Sequence, residues 1–401
     1  MRVPTAADIQ RPLDLVLYTH PPFLGIRSQA LFAESLANGY RARGHRVSVR
    51  HALPHLHARA GRGALRKWAG YVDQYLLYPQ RLRRELRGDP PGTLYVFCDH
   101  ALGPWMPHVV PRPHVVHCHD LLALRSALGE IAEHRTSATG RVYQRYIRSG
   151  FRQARHFISI SERSRADLHR CGGVDPVISE VVYNGLNRAY LPVPRQQAID
   201  TLRPLGLASD VRPIVHVGNG QWYKNTRGVL AIYRVLAGSL PAARVPPLVI
   251  VGPAPSDLAG FVATLASPAS VRCIEGLSGE ALEALYAHAE ALLVPSLAEG
   301  FGWPIAEAMA CGCAVITTCE APMTEVGGAA AHYLPRLDQG ADVDAWAAQG
   351  SALLRRLIDR SPRERADAAE AGLAQAARFD LNRALDAYLD VYRRVLSRYP
   401  N

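Results

Sequence analysis

The feature that most constrains this chain is an alternation of short strand-like runs with segments of helical periodicity, repeated in both halves. Short apolar runs bounded by glycine, proline or polar residues are typical of strands buried on both faces. Helices between such runs let successive strands lie parallel. The runs are Leu13–Tyr18, Arg46–Arg50, Thr93–Cys98, Val115–Cys118, His156–Ile160, Ile214–Gly218, Pro247–Gly252, Ala291–Pro295 and Ala314–Thr317. The pattern predicts an α/β protein with parallel sheets that carry helices on both faces.

The chain of 401 residues is longer than one compact domain, which usually holds roughly 100–200 residues. We therefore predict two Rossmann-like, doubly wound domains that face each other across a cleft. Prolines at 192, 194 and 213 interrupt the pattern between the halves, because proline cannot continue a central strand or helix. We place the first domain at 1–190, a linker at 191–212 and the second domain at 213–380. An amphipathic C-terminal helix, 381–401, is expected to pack back towards the first domain.

Composition excludes several classes of protein. No run approaches the roughly 18 apolar residues of a membrane span, and Met1–Gln10 lack the apolar core of a secretion signal. Seven cysteines, an odd number, do not suggest a disulfide framework, so we expect a cytoplasmic protein. Residues 1–210 hold 29 Lys+Arg and 16 Asp+Glu, a net +13, whereas 211–401 hold 17 and 19, a net −2. This asymmetry predicts different partners for the two domains.

The segment Pro295–Gly312 carries the clearest functional pattern. It is typical of a strand end, a glycine-rich turn and a helix, since Pro304 suits a first helical turn and Gly312 a helix exit. Gly300 and Gly302 would let the backbone approach a ligand closely. The free N–H groups at the start of the helix would then favour a phosphate group.

Two glutamates, Glu299 and Glu307, lie eight residues apart in this segment. Their carboxylates could both accept hydrogen bonds from the hydroxyls of a sugar or a ribose. Without further context, the same two residues would also suit partners of the helix dipole. The spacing alone leaves both interpretations open.

The segment resembles the Glu-x7-Glu signature of the retaining glycosyltransferases of family four (group 1), which have the GT-B fold. Elements similar to those of the family follow in the expected order along nearly the whole chain. They are His117–Leu121, Ile158–Ser164, Val182–Leu186, Val217–Asn225, Val249–Gly252, Glu275–Ser278 and Pro322–Gly328. The resemblance implies an enzyme that transfers a sugar from a nucleotide-sugar.

The resemblance also implies roles for single residues. Glu307 would bind the ribose hydroxyls and Glu299 the hydroxyls of the donor sugar, while Lys224 would neutralise the departing diphosphate. His119 would lie beside the donor sugar. The other implied donor-binding positions are Gly300, Phe301 and Gly302, Leu277 in the turn beside the base, Asn219, and Gly25 in the first-domain loop.

Two positions depart from the family pattern. An arginine usually follows the glycine where this chain has Asn219, so a second cation on the diphosphate is missing there. Arg27, Arg163 and Arg227 are the candidates to replace it. The first-domain loop, Pro21–Ser28, is also bulkier than the usual double-glycine form. Both departures leave the identity of the donor open.

The implied reaction is transfer to an acceptor hydroxyl with retention, by a same-face displacement in which the leaving diphosphate helps to deprotonate the acceptor. We expect neither a metal nor a cofactor besides the donor; Asp342 and Asp344 are interpreted as a helix-capping pair. The acceptor could be a glycan, a lipid-linked sugar or a small molecule. Two other functions stay open: a nucleotide-sugar epimerase on the same scaffold, and a non-catalytic partner subunit that binds nucleotide-sugars.

The segment 55–87 is basic and rich in aromatic residues. It holds eight Lys or Arg residues and two acidic residues, Asp73 and Glu85. Its aromatic residues at helical spacing are Trp68, Tyr71, Tyr75 and Tyr78. This spacing favours the core face of a helix, but the charge also suits peripheral contact with an anionic membrane. No recognition module for nucleic acid accompanies the charge, and we expect no nucleic-acid partner.

Overall fold

The computed structural model describes residues 11–25, 27–61, 63–207, 211–265 and 271–399. These residues form two compact units. The first contains the described residues up to Ile131, residues 135–187 and those from Leu381, and the second contains Ala132–His134 and Arg188–Asp380.

The first unit is built on six parallel strands in the order β2-β1-β3-β4-β5-β6. They are β1 Asp14–Tyr18, β2 Arg46–Arg50, β3 Leu94–Phe97, β4 His114–Cys118, β5 His156–Ser159 and β6 Ile178–Val181. The helices are α1 Arg27–Ala42, α2 Ala64–Val72, α3 Tyr78–Gly88, α4 Leu122–Ala127, α5 Ala138–Phe151, α6 Glu162–Cys171 and the C-terminal helix Leu381–Leu396. The sequence did not predict β6, an edge strand with one buried residue.

Both faces of this sheet are covered. The C-terminal helix and α1 cover one face together, where Phe32, Tyr40, Tyr388 and Tyr392 are buried in one apolar cluster. The hydroxyl of Tyr392 lies 2.8 Å from Nε2 of His117 on β4. The C-terminal helix therefore belongs to the first unit, although it follows the second in the chain.

The second unit also holds six parallel strands, in the order β12-β11-β10-β7-β8-β9. They are β7 Ile214–Val217, β8 Leu248–Val251, β9 Val271–Ile274, β10 Ala291–Val294, β11 Val315–Thr318 and β12 His332–Leu334. The helices are α7 Arg195–Leu202, α8 Thr226–Ser239, α9 Leu258–Ala263, α10 Gly279–His288, α11 Trp303–Ala310, α12 Met323–Gly327, α13 Val343–Ile358 and α14 Pro362–Ala376. Of the helices in the described part of the chain, none is long and apolar enough to cross a bilayer.

The segment predicted as a linker, 191–212, contains the helix α7. Pro194 stands at the N-cap of this helix, just outside the body of the helix, where a proline breaks no hydrogen bond of the helix. Ala198 and Leu202 of α7 are fully buried in the second unit. The prolines thus mark the start of a helix, where the sequence analysis placed an irregular connection.

The two sheets confirm the prediction of two Rossmann-like, doubly wound units. In each sheet the strand order reverses at one point, between β1 and β3 in the first and between β7 and β10 in the second. Ligands of such sheets bind at this point, outside the carboxyl ends of the strands. The loops that follow β7 and β10 therefore define where a ligand of the second unit is expected.

Candidate active site

The loops after β7 and β10 bring Lys224 and Glu299 together. Lys224 ends the short turn Trp222–Lys224, and Glu299 lies in the glycine-rich turn before α11. The ammonium Nζ of Lys224 lies 2.7 Å from Oε1 of Glu299, and the hydroxyl of Ser296 donates to the same oxygen at 2.8 Å. Sequence analysis named both residues but did not place them in contact.

This ion pair is largely shielded from solvent. The side chains of Lys224 and Glu299 are 13% and 11% exposed. Burial alone would lower the pKa of Lys224, but the neighbouring carboxylate of Glu299 outweighs it and the pKa is raised above its usual value. Lys224 is therefore a fixed cation at neutral pH, which is what stabilisation of a leaving diphosphate requires.

Side-chain donors hold the backbone that leads into the glycine-rich turn. The contacts are Asn225 Nδ2 to the Pro295 carbonyl at 2.9 Å, Thr318 Oγ1 to the Ser296 carbonyl at 2.6 Å, and Arg336 Nε to the Leu297 carbonyl at 3.0 Å. Three successive carbonyls are thus each bonded to a side chain. Glu299 follows two residues later, so its position is determined by a fixed segment.

The glycine-rich turn ends at Gly302, the N-cap of α11. Gly302 has a φ of 97°, a left-handed conformation that favours glycine. Phe301 is buried, and its ring packs against that of Phe379 with centroids 5.3 Å apart. Pro304 stands in the first turn of α11, as predicted. Gly300 is half-buried in the same turn.

Glu307 lies on α11 and is buried. The hydroxyl of Tyr286 on α10 donates to its Oε2 at 3.0 Å, and the Tyr190 hydroxyl also bonds to this carboxylate. Burial raises the pKa of Glu307, although the two tyrosines, Lys224 and Arg188 act in the opposite direction. The positive charge of Lys224 lowers the pKa of Glu307, and Glu307 in turn contributes to the raised pKa of Lys224.

Sequence analysis missed three residues around Glu307. Arg188 pairs with Glu283 at 2.8 Å and lies over the ring of Tyr190 at 5.2 Å. The sequence analysis assigned Arg188 and Tyr190 to the first domain. In the structure both residues belong to the second unit. Tyr286 has the spacing of an ordinary core position of α10, which gives no signal of its contact with Glu307.

Asn219 and Leu277 lie in loops of the second unit. Oδ1 of Asn219 accepts from the backbone N–H of Gln221 at 3.2 Å, so this exposed side chain shapes the loop after β7. Leu277 is half-buried and precedes Ser278, the N-cap of α10.

The structure describes the side chains of two of the three arginines considered as replacements for the missing cation. Arg227 is 80% exposed and lies 3.6 Å from Asp257. Arg163, in the first unit, pairs with Asp167 at 3.0 Å. The side chain of Arg27 lies outside the described residues. Lys224 is the cation that the structure places beside Glu299.

In the first unit, His119 follows β4 and Gly25 follows β1. Nε2 of His119 donates to the Cys98 carbonyl at 2.9 Å, which leaves Nδ1 as a hydrogen-bond acceptor. Burial lowers the pKa of His119, so its imidazole is neutral at neutral pH. Gly25 is exposed, with a φ of 69°, and ends the short turn Pro22–Leu24. The roles of both residues stay predictions.

A pair that sequence analysis missed lies where the strand order of the first sheet reverses. Nε2 of His20, after β1, is 3.1 Å from Oδ2 of Asp99, after β3. The other carboxylate oxygen lies 2.9 Å from Nδ1 of His100. Burial would raise the pKa of Asp99, but the two histidines hold it well below its usual range. Isolated histidines and aspartates form no sequence pattern, and only the pairing of β1 with β3 brings them together.

Asp342 is the N-cap of α13, whereas Asp344 lies in the first turn of this helix and pairs with Arg234. Oδ1 of Asp342 accepts from the backbone N–H groups of Asp344 and Ala345, both at 3.0 Å. This confirms the predicted cap for Asp342 and not for Asp344. Within the described residues, no group of three or more histidine, cysteine or acidic side chains is arranged to hold a metal ion.

Family models match both halves of the chain. The model described as "Glycosyl transferases group 1" matches residues 200–345, and the model described as "Glycosyltransferase Family 4" matches residues 29–190. Two curated proteins are similar in sequence. O-antigen chain mannosyltransferase B of Escherichia coli is 27% identical over 82% of this chain and 81% of its own length. D-inositol 3-phosphate glycosyltransferase of Mycobacterium tuberculosis is 32% identical over 57% of this chain and 46% of its own length.

Solved structures share the fold at low sequence identity. Sucrose-phosphate synthase from Thermosynechococcus elongatus has a TM-score of 0.70 at 17% identity, over 96% of this chain and 100% of that chain. Anabaena HepE, solved in complex with UDP and glucose, has a TM-score of 0.66 at 17% identity, over 94% and 98%. At such identities these similarities establish the fold.

Proposed function

Since this chain belongs to the group 1 glycosyltransferases, in family 4, we propose that it moves a hexose from a nucleotide-diphosphate-sugar to an acceptor hydroxyl with retention of configuration. The observation that carries this proposal is the Lys224–Glu299 pair at the strand-order reversal of the second sheet. There a fixed cation and a carboxylate able to bind hydroxyls lie together, where doubly wound sheets bind their ligands.

In the proposed complex each group has one task. Glu307 accepts hydrogen bonds from the ribose, and Glu299 accepts them from the hydroxyls of the sugar. The backbone N–H groups at the start of α11 face the diphosphate, where the positive end of the helix favours an anion. Lys224 stabilises the negative charge that develops as the diphosphate departs.

The transfer step follows from these positions. The bond between the anomeric carbon and the diphosphate oxygen breaks, and the acceptor oxygen bonds to that carbon on the same face. The acceptor proton passes to the departing diphosphate. The protein thus contributes positioning and electrostatic stabilisation, and in this scheme Lys224 supplies the positive charge without a metal or a further cofactor.

We propose a glycan or a lipid-linked sugar as the acceptor, in polysaccharide biosynthesis. The similarity to a protein named O-antigen chain mannosyltransferase, over 82% of this chain, supports this choice. A cytoplasmic location is consistent with the seven cysteines, which are all free.

A thermal-shift screen against UDP, GDP, ADP, dTDP and CDP, with and without their common sugars, tests the donor half of the proposal. A ligand at ~100 times its dissociation constant stabilises the folded state by about 2.7 kcal/mol. We expect a clear response to one nucleotide. If none of these nucleotides or nucleotide-sugars shifts the melting temperature, the proposal of a nucleotide-sugar donor is wrong.

Replacement of Glu307 by alanine is expected to weaken nucleoside diphosphate binding by roughly 10- to 100-fold, because a hydrogen bond to a carboxylate contributes about 1.5–3 kcal/mol. Calorimetric titration of the nucleotide found in the screen measures this change. Glu290→Gln is the matched control, since Glu290 is a buried acid of the same unit that pairs with Arg365. Equal affinity in Glu307→Ala and the control would remove Glu307 from the ribose.

We further propose that the segment 55–87 contacts an anionic membrane. Tyr78 is in the core, whereas Trp68 and Leu65 on α2 and the later Leu76 are 61%, 69% and 63% exposed. Both acidic residues of the segment have partners within it. The carboxylate of buried Asp73 accepts hydrogen bonds from the backbone N–H groups of residues 56 and 57, and Glu85 forms an ion pair with Arg81. The exposed surface of α2 therefore combines apolar side chains with the exposed basic residues Arg66 and Lys67, as contact with anionic lipid requires. Arg62 lies outside the described residues.

Sedimentation with vesicles that contain 30% anionic lipid tests this contact. The double variant Arg66→Gln/Lys67→Gln is expected to bind about thirtyfold more weakly, because each basic residue near such a surface contributes about 1 kcal/mol. Leu128→Ser, which changes an exposed leucine after α4, should bind like the unchanged protein. Equal binding of the double variant and the control would contradict the membrane contact.

A further inference from the structure

A short stretch of chain between α4 and α5, Ala132–His134, is part of the second unit. Two of its side chains contact residues next to the candidate active site. Oε1 of Glu133 accepts from Nη2 of Arg336 at 2.6 Å, and the His134 ring stacks on Trp222 with centroids 5.6 Å apart and planes 12° from parallel. Trp222 begins the turn that ends at Lys224.

Arg336 follows β12 and makes three separate contacts. Its Nε donates to the Leu297 carbonyl at 3.0 Å, Nη2 donates to Glu133, and Nη1 pairs with Asp338. The side chains of Arg336 and Glu133 are only 19% and 18% exposed. A guanidinium with one carboxylate on each terminal nitrogen is oriented in a single direction, and here that direction presents Nε to the backbone before Glu299.

Leu297 is the point at which the two loops of the site are joined. Its carbonyl accepts from Arg336, and its N–H donates to the Tyr223 carbonyl at 2.8 Å. Tyr223 is the residue before Lys224, and Leu297 is two residues before Glu299. The backbone link through Leu297 is therefore separate from the direct ion pair between Lys224 and Glu299.

We propose that Arg336 is a positioning residue for Glu299 and Lys224, that Glu133 orients it, and that His134 braces the Trp222 turn. The inference rests on the proposed function and deepens it. When a diphosphate binds the ammonium of Lys224, contacts with the ligand replace the direct ion pair between Lys224 and Glu299. The hydrogen bonds from Arg336 to Leu297 and from Leu297 to Tyr223 remain, and they keep the two loops in the same relative position while the ligand is bound.

Hydrogen exchange of the full chain tests the positioning without any substrate. In Arg336→Gln, the amides of residues 296–301 are expected to exchange about tenfold faster, since a local opening needs less free energy when a restraining contact is lost. Glu133→Gln should show a smaller increase in the same residues, and Arg336→Lys should restore part of the protection. Arg244→Gln is the matched control, because it breaks another arginine pair of the same unit, between Arg244 before β8 and Asp359 at the end of α13.

Donor cleavage gives the functional readout. With the nucleotide-sugar found by the thermal-shift screen, Arg336→Gln should lower the maximal rate of nucleoside diphosphate release about tenfold relative to Arg244→Gln. Its affinity for the nucleoside diphosphate alone should stay within about threefold, because Glu307 is held by α11 and two tyrosines. The effects of Glu133→Gln and Arg336→Gln should not add in the double variant, because they act through one contact.

The outcomes separate the two proposals. Unchanged exchange of residues 296–301 in Arg336→Gln overturns the positioning role, whatever the activity. A general rise in exchange across the second unit, with rate and affinity lost together, also overturns it, because Arg336 would then be structural only. Faster exchange confined to this segment, in a protein that binds and cleaves no nucleotide-sugar, would leave the positioning role standing and reject the proposed function.

Discussion

A Glu299→Gln variant is expected to lose at least about a hundredfold in the rate of sugar transfer while it still binds the nucleoside diphosphate. Each hydrogen bond from a sugar hydroxyl to the carboxylate contributes about 1.5–3 kcal/mol, and the amide lacks the charge that makes these bonds strong. Initial rates at saturating donor, together with calorimetric titration of the nucleoside diphosphate, measure the two effects separately. Glu299→Ala should lose at least as much activity.

Glu290→Gln is the matched control for Glu299. Glu290 precedes β10 and Glu299 follows it, so the two acids lie at opposite ends of the same strand, and both pair with a basic residue in the second unit. The control should lower the melting temperature and keep its transfer rate. Transfer by Glu299→Gln at the rate of Glu290→Gln would remove Glu299 from the donor sugar.

A Lys224→Met variant is expected to lower the maximal rate by roughly 10²- to 10³-fold, which is the effect of removing one charge-stabilising donor from a transition state. The loss should persist at saturating donor, because the charge of the diphosphate oxygen develops as the sugar departs. Measurement of the maximal rate and of KM for the donor distinguishes this effect from weaker binding. Lys224→Arg keeps the charge and should recover part of the rate.

Loss of Lys224 also leaves the largely shielded carboxylate of Glu299 with Ser296 as its hydrogen-bond donor. Removal of one member of a buried pair destabilises a protein, so the melting temperature has to be measured in parallel. In the double variant Lys224→Met/Glu299→Gln both charges are absent, and stability should partly recover while transfer stays low. A Lys224→Met enzyme whose maximal rate is unaltered would contradict the role at the diphosphate.

The sequence could predict the parts of the site that lie in one continuous segment. The turn before α11, with Glu299, Gly302 and Pro304, has local chemistry that a pattern reveals. Partners from distant segments were not predictable in this way. Tyr190 reaches Glu307 across 117 residues of chain, and the structure, rather than any spacing, shows that contact.

The same limit applied to the fold. Strands β7, β10 and β11 are buried runs that a sequence pattern reveals. The edge strands β9 and β12 have few buried residues, so their apolar signal is weak. The sequence analysis did not predict helix α7, because it interpreted Pro192 and Pro194 as part of an irregular connection. His20 and Asp99 become neighbours only through the pairing of β1 with β3.

The position of the C-terminal helix in the sequence affects the order in which the two units can complete folding during translation. Synthesis proceeds from the N-terminus, and domains generally fold as units as they emerge. Here the first sheet lacks part of the cover on one face until Leu381–Leu396 has been translated. The first unit is therefore the first to be synthesised and the last to be completed. While the second unit is being translated, the apolar surface around Phe32 and Tyr40 lacks the helix that covers it in the folded protein.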